Sequence, residues 1–448
     1  MRAVRLANPK SITISEEALP RARILYCSAT GVTDLENMAY MNRLGLWGPG
    51  TQFDGFDQFF LEMKNRGVGA LEMLAIEMKA SGSYVSRALG FKSAEFEVLE
   101  AELKPEDVGC YDNAAEFWDR LRAELRNAID ETEGGAGVMR SYWSAHQRFF
   151  KQLCICIKVP VIAEQARRAL EQGQCVVVGL QTTGESALED HLTKERQSLS
   201  GGGTYDSFIS VTKFILKSFI DTHFPTTASA RRPVPTVVQV LPDGSRQMSD
   251  GSTHMTDGSI IEPATPVEPE QPRPKPHLVI KKQQLLDEAE KMNLPPSPLD
   301  DLIDRLGGPE KVAEMTGRKG RLVRMQRGSR RIKYFERGKA DEERETLNVQ
   351  ECRDFQAGRK QVGIISDAAS TGISLHADAR SGSSQKRRVH ITMEMAWSAD
   401  KSIQQLGRSH RSNQVCPPHY VLLLTDHPGE QRFAAAVRIR VRVRVRVS

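Results

Sequence analysis

The 448-residue chain has no apolar run near the roughly 18–20 residues of a membrane-spanning helix; runs such as 175–180 and 421–424 are short. Residues 1–20 lack the apolar core of a secretory signal. These absences predict a soluble, intracellular protein with no membrane role. Cysteine is sparse: seven residues scattered along the chain argue against a disulfide framework and suit a reducing compartment. Only Cys154 and Cys156 lie close together, and no second Cys/His pair stands at zinc spacing, so buried thiols are expected and no metal site. A phosphate-cradling G-x-x-x-x-G-K-[ST] is missing altogether. Net charge is nearly missing too. Arg438, Arg440, Arg442, Arg444 and Arg446 account for the whole formal +5, so any attraction for phosphate must come from local patches.

What is present suffices for real cores, with 39% hydrophobic residues over a length that suits about two or three domains. Residues 23–27 read as an apolar strand running into Ser28-Ala29-Thr30. Residues 67–80 read as a helix, with Leu71, Leu74, Ala75 and Met78 at the spacing of one buried stripe. A strand is expected over 96–103 and helices over 113–173, where Pro160 either kinks a helix or opens the next. Then the pattern becomes strand–loop–helix: 175–180, Gln181-Thr-Thr-Gly-Glu185 and 186–196. From Pro233 to Pro276 prolines recur among Ser, Thr, Gly and Asp, and a disordered insert is expected. Order resumes near Leu285. Residues 298–317 read as two short helices, the first stopped by Gly307 and Gly308, the second opened by Pro309 and ended by Gly317. Segments 321–325 and 331–335 read as a hairpin. Strands 362–366, 389–395 and 420–424 with helix 400–407 restore α/β alternation. The last twelve residues, 437–448, are a Val/Arg repeat that as a strand would place every Arg on one face.

The most informative motif is Gln404-Gln-Leu-Gly407-Arg408-Ser-His-Arg411, which fits Q-x-x-G-R-x-x-R, the sixth motif of superfamily-two helicases. On a helix, Arg408 and Arg411 would share one face, where two guanidiniums can stabilise a transferring phosphoryl group. Ile364-Ile-Ser-Asp-Ala-Ala-Ser-Thr-Gly-Ile-Ser-Leu375 ends a strand in a loop of small hydroxylated residues and fits the fifth motif, with Asp367 and Gly372 toward nucleotide and Thr371 and Ser374 toward nucleic acid. Thr182 and Thr183 stand where the fourth motif contacts nucleic-acid backbone. Ser28, Ala29 and Thr30 fit the third, which couples nucleotide state to lobe movement. Residues 318–339 hold ten Lys/Arg with Tyr334 and Phe335, so a contact with phosphates and a solvated hairpin both stay open. The preceding 298–317 does not suit DNA readout: Val312, Ala313 and Met315 crowd its second half and predict packing on the core.

Long stretches go beyond these motifs: residues 28–48, 143–154, 176–186, 306–321 and 397–414 resemble Strawberry notch proteins, and the resemblance covers nearly all of 21–436. It implies a nuclear, chromatin-associated regulator of transcription with a two-lobed RecA-like motor core, DNA or RNA as its track, and transcription regulators as partners. The fold implied is α/β: a RecA-like helicase second lobe with helical additions, a remnant of the first lobe and a disordered insert. On this reading, 1–110 ends the first lobe and 111–225 is helical and starts the second. Residues 226–280 are the insert, 281–436 complete the second lobe, and 437–448 form the tail. Arg408 and Arg411 would act as arginine fingers, Gln404 and Gly407 would meet nucleotide, and oligomeric state is left open.

The motif that holds magnesium is missing as well. Asp287-Glu288 reads as part of a helix and Asp341-Glu342 as part of a charged loop, and neither ends a buried strand. In the family the first two motifs lie upstream of Ser-Ala-Thr, and 27 residues precede Ser28 here. ATP and Mg are therefore expected only where a complete first lobe is supplied, with no ATP hydrolysis by this chain alone. Two other readings stay open: a non-enzymatic scaffold binding protein or DNA without nucleotide dependence, and a truncated, non-functional product.

Overall fold

The computed structural model describes residues 16, 18–27, 35–85, 90–91, 93–132, 137–183, 204–205, 207–227, 237–240, 246–248, 253–254, 260–261, 274–325, 329, 331–338, 341–366, 373–394, 399–425, 430 and 446–447. They fall into two compact units, Met1–Leu89 and Gly90–Ser448.

In the first unit, helix α1 (Phe56–Arg66) and helix α2 (Val68–Ala80) are separated by Gly67, whose φ of 74° is a conformation that residues with a Cβ rarely adopt. The stripe expected on α2 is there. Met78 is buried, and Leu71 and Leu74 pack against a cluster of Met38, Met41, Trp47, Phe53 and Phe59, while Met73 and Ile76 face solvent. Residues 22–27, expected to include a strand, form none, and Leu25 is exposed. An apolar stretch becomes a strand only where a partner accepts its backbone N–H and C=O groups.

In the second unit the strands are, in chain order, β1 (Glu95–Ala101), β2 (Cys175–Leu180), β3 (Thr204–Tyr205), β4 (Val237–Val240), β5 (Arg246–Met248), β6 (Thr253–His254) and β7 (Ile260–Ile261). They continue as β8 (Val312–Met315), β9 (Gly320–Arg324), β10 (Ile332–Glu336), β11 (Val362–Ser366), β12 (Arg388–Thr392), β13 (His419–Thr425) and β14 (Arg446–Val447). The helices are α3 (Pro105–Thr132), α4 (Val138–Glu171), α5 (Val211–His223), α6 (Pro276–Lys291), α7 (Pro298–Arg305), α8 (Asp341–Gln356) and α9 (Ala399–Leu406).

Seven strands form one sheet in the order β14-β1-β13-β12-β2-β11-β8, with every pairing parallel. Strands β2, β8, β11 and β12 are buried at every position, as a parallel sheet covered on both faces requires. One face packs Val176, Val178, Ile364 and Ile391 against Val159, Ile162 and Ala166 of α4 and Leu302 and Ile303 of α7. The other packs Cys175, Val177 and Ile365 against Phe355 of α8. A second core joins α3, the first half of α4, α5 and α6 around Trp118, Tyr142, Phe149, Phe219 and Leu285. Helix α4 runs on through Pro160, which therefore does not open a second helix.

The sheet corrects several expectations. Residues 312–315 are not a helix but the edge strand β8, paired in parallel with β11. A four-residue run buried on both sides has no period to distinguish the two. Strand β1, grouped by chain order with the first region, pairs with β13 over its whole length. Asp341 and Glu342 open helix α8 instead of lying in a loop. Within the proline-rich stretch, expected to lack structure, β4–β7 form a small antiparallel sheet, and helix begins at Pro276, ahead of Leu285. Proline there removes donors only where it stands, and the strands fall between prolines. The expected hairpin is present as β9 and β10. Helix 186–196 lies outside the described residues.

Candidate nucleotide and nucleic-acid interface

Parallel strands end on the same side, so the register fixes which loops meet. Leu180 of β2 lies opposite Ser366 of β11, and Gly179 opposite Thr392 of β12. The chain leaving each strand therefore starts from one edge, where its path crosses from β11 over β2 to β12. Open α/β sheets bind ligands at the carboxyl ends of strands at such a reversal. Thr182 and Thr183 follow β2 there. Asp367, Thr371 and Gly372 follow Ser366 but lie outside the described residues, as do Ser28, Ala29 and Thr30.

Glu394, just beyond β12, holds the loop after β2. Its buried carboxylate accepts from the Gln181 amide at 2.9 Å, the Thr182 amide at 2.7 Å and the Thr182 hydroxyl at 3.0 Å. Lys151 of α4 pairs with the same group at 2.6 Å. A neighbouring strand end repeats the device: Glu430 accepts from the Thr425 amide at 2.9 Å and pairs with the fully buried Lys158 of α4. Charge-assisted bonds of this kind are the strong ones. Sequence reasoning missed Glu394, and the signal was a lone acid closing an apolar strand.

The segment 404–411 differs from its expected geometry. Helix α9 ends at Leu406, Gly407 donates to the Ile403 carbonyl at 2.8 Å, and Arg408 lies in the turn that follows. Arg411 stands beyond the turn, exposed, its amide donating to Gln414 at 3.3 Å. The two arginines thus do not share a helical face. Gln404 is half-buried on α9, and its neighbour Gln405 is buried. Two bonds tie the segment to other motifs: Gln181 Nε2 donates to Gln405 Oε1 at 3.3 Å, and the Leu375 amide donates to the Arg408 carbonyl at 2.7 Å. Ser374 is half-buried, with its hydroxyl 2.7 Å from Nδ1 of His376. These bonds join residues 181, 375 and 405–408, in or beside the segments expected to carry the fourth, fifth and sixth motifs.

The basic stretch 318–339 holds several of its arginines inward. Arg318 is fully buried, donating to Glu314 at 2.5 and 3.1 Å and to Asp300 at 2.6 Å. Arg337 bonds the Glu314 carbonyl at 2.7 Å and pairs with its carboxylate at 3.2 Å. Arg324 pairs with Asp304 at 3.0 Å. Burial works against the Glu314 charge, but Arg318 and Arg337 outweigh it and hold that carboxyl down to about 2. At Asp300 burial wins and the carboxyl is pushed up despite Arg318. Arg318 binds the edge strand to α7 and Arg324 binds β9 to α7, and the buried side chains of Arg318 and Arg337 are withheld from phosphate.

Elsewhere, a cavity of about 1100 Å³ lies between α5 and α6. Its lysines, Lys213 and Lys217, are paired with Glu290. Among the described residues no cluster of potential ligands could hold a metal ion, and no helix is long and apolar enough to cross a membrane. All seven cysteines are free; burial pushes the Cys154 thiol up to about 11 and Cys156 further.

Residues 297–443 match a family model described as the C-terminal domain on Strawberry notch homologue, and 8–113 match one described as P-loop containing NTP hydrolase pore-1. Protein strawberry notch homolog 1 of Rattus norvegicus is 40% identical over 94% of this chain and 36% of the relative. Protein FORGETTER 1 of Arabidopsis thaliana is 36% identical over 94% of the chain and 39% of the relative. Protein strawberry notch homolog 2 of Homo sapiens is 37% identical over 96% and 34%. The chain spans little more than a third of the length of these relatives. The relatives match along nearly the whole sequence and the C-terminal model over 297–443, and the chain belongs to the Strawberry notch family of helicase-related proteins, with the parallel α/β sheet of a RecA-like lobe.

Proposed function

We propose that this chain is the second-lobe portion of a Strawberry notch motor that acts in the nucleus, regulating transcription on chromatin. It binds DNA or RNA in a nucleotide-dependent way only in company with a complete first lobe, which supplies the site for ATP and Mg. Transcription regulators are its protein partners. In that setting Arg408 and Arg411 stabilise the transferring phosphoryl group, Gln404, Gly407, Asp367 and Gly372 border the nucleotide, and Thr182, Thr183, Thr371 and Ser374 border the nucleic acid. Ser28, Ala29 and Thr30 couple the lobes. One observation supports the reading above others: the Arg408 turn is hydrogen-bonded to the end of the fifth motif through Leu375 and, through Gln405, to the fourth.

The test is a filter-binding titration with and without ATP on protein that includes the upstream lobe, beside its ATPase rate. Arg408→Ala is expected to lower that rate by about 10³–10⁵, the worth of an arginine finger. Undiminished turnover overturns the assignment. A scaffold without nucleotide dependence draws on a different observation, that the amide and hydroxyl of Thr182 both already serve Glu394. It predicts nucleic-acid binding indifferent to ATP in the same titration.

A further inference from the structure

Three buried side chains lie between the loop after β2 and the Arg408 turn: Gln405, His390 and Ser409. The Ser409 oxygen lies 2.7 Å from His390 Nδ1 and 3.2 Å from the Leu406 carbonyl, which also accepts from the Tyr420 hydroxyl at 2.8 Å. Burial pushes His390 down to about 4, which keeps the ring neutral near pH 7.

Above Gly179 the two side chains meet. A Cβ placed on Gly179 would come within 2.4 Å of Gln405 Nε2 and 2.8 Å of His390 Nε2. Among the described residues neither nitrogen has a hydrogen-bond partner. Amide and imidazole nitrogens share a space that only glycine leaves open, and in the tautomer protonated on Nδ1 the ring accepts there what the amide donates. At its other end Gln405 accepts from Gln181, whose amide Glu394 holds.

We propose that Gln405 and His390 are positioning residues that join the Gln181–Thr183 loop to the 407–411 turn across Gly179, so that reseating either segment reseats the other. Burial matters here, because an unmet polar group inside the protein is costly and opposes independent movement of the two segments. The consequence for a motor, that engagement of nucleic acid by the loop adjusts the Arg408 turn, rests on the function proposed above. The linkage itself is a property of the fold.

The experiment is amide hydrogen exchange by mass spectrometry on the full chain, with variants at opposite ends of the relay. Ser409→Ala removes only a hydroxyl at the turn end and is expected to speed exchange at Gln181 and Thr182 by about fivefold, the worth of one hydrogen bond. Glu394→Gln, at the loop end, should speed exchange across 407–411. Ile403→Ala, on the exposed side of α9, should leave 181–182 unchanged. Thermal melts establish that each variant is folded. If Ser409→Ala alters only 399–411, or Ile403→Ala alters 181–182 equally, the relay is refuted. A parallel anisotropy titration, on protein that includes the upstream lobe and with ATP present, uses labelled single-stranded DNA and RNA oligonucleotides. Weaker binding by Gln405→Met with its melt unchanged supports the positioning role, and wild-type affinity in that variant refutes it. Cross-talk in exchange with no binding of either oligonucleotide by the wild-type protein that includes the upstream lobe leaves the linkage standing and counts against the proposed function.

Discussion

Replacing Arg318 by Met tests whether the buried ion cluster anchors the edge of the sheet. The guanidinium makes three hydrogen bonds, two to Glu314 and one to Asp300. Summing charge-assisted bonds at roughly 1.5–3 kcal/mol each overstates the loss, because the three share one desolvated group. The better guide is removal of one partner from a buried pair, which costs about 3–5 kcal/mol because the other charge is left stranded. Arg337 still faces Glu314, so the lower half of that range is expected. Urea unfolding of the full chain, followed by near-ultraviolet circular dichroism, gives the number. The double variant Asp300→Asn, Arg318→Met also removes the carboxylate on α7, leaves Glu314 paired with Arg337, and should be less damaging than Arg318→Met alone. High salt should leave the single variant's loss unchanged, since buried pairs are screened little. A loss under about 1 kcal/mol, or a double variant worse than the single, would refute the reasoning.

His390 gives a pH dependence with a definite sign. Its folded value of about 4 lies below the unfolded 6.5, so as pH falls from 6.5 toward 4 the unfolded chain takes up a proton that the folded chain refuses. Stability should fall by about 3 kcal/mol over that window, and His390→Asn should remove that part of the slope in unfolding curves. Trp118→Ala, at a fully buried ring among Tyr142, Phe149 and Phe219, should cost about 3–5 kcal/mol in the same assay. Gly320→Ala should destabilise the hairpin, because its Cβ would fall 2.0 Å from the Tyr334 hydroxyl; Tyr334→Ala added to it should recover much of the loss, as a melting-temperature comparison would show.

Segments whose burial is continuous were easiest to read. Residues 175–180 and 362–366 are runs of branched apolar residues and proved to be central strands. Helix α9, expected over 400–407, was legible from its place after a strand and a turn. Residues 312–315 were not, because Glu314 resembles a solvent-facing helix charge until Arg318 and Arg337 enclose it, and chain order does not reveal that enclosure. The same reason hid the basic stretch, whose arginines meet acids on α7 and β8. In the candidate site Thr182 was visible in its loop, yet the carboxylate that seats it lies 212 residues further on. Arg408 and Arg411 were legible by spacing, but spacing assumed a helix that stops at Leu406.

Helix α4 spans 34 residues, about 51 Å at 1.5 Å per residue, and belongs to two cores at once. Its lysines 151 and 158 sit about two turns apart and grip the acids that close two adjacent strand ends. The helix therefore acts as a gauge block: it sets the spacing of both strand-end loops against the helical core by the length of its own backbone. Inserting one residue between Lys151 and Lys158 would rotate one grip about 100° relative to the other. A single codon could thus throw the edge out of true while leaving every side chain of the site in place.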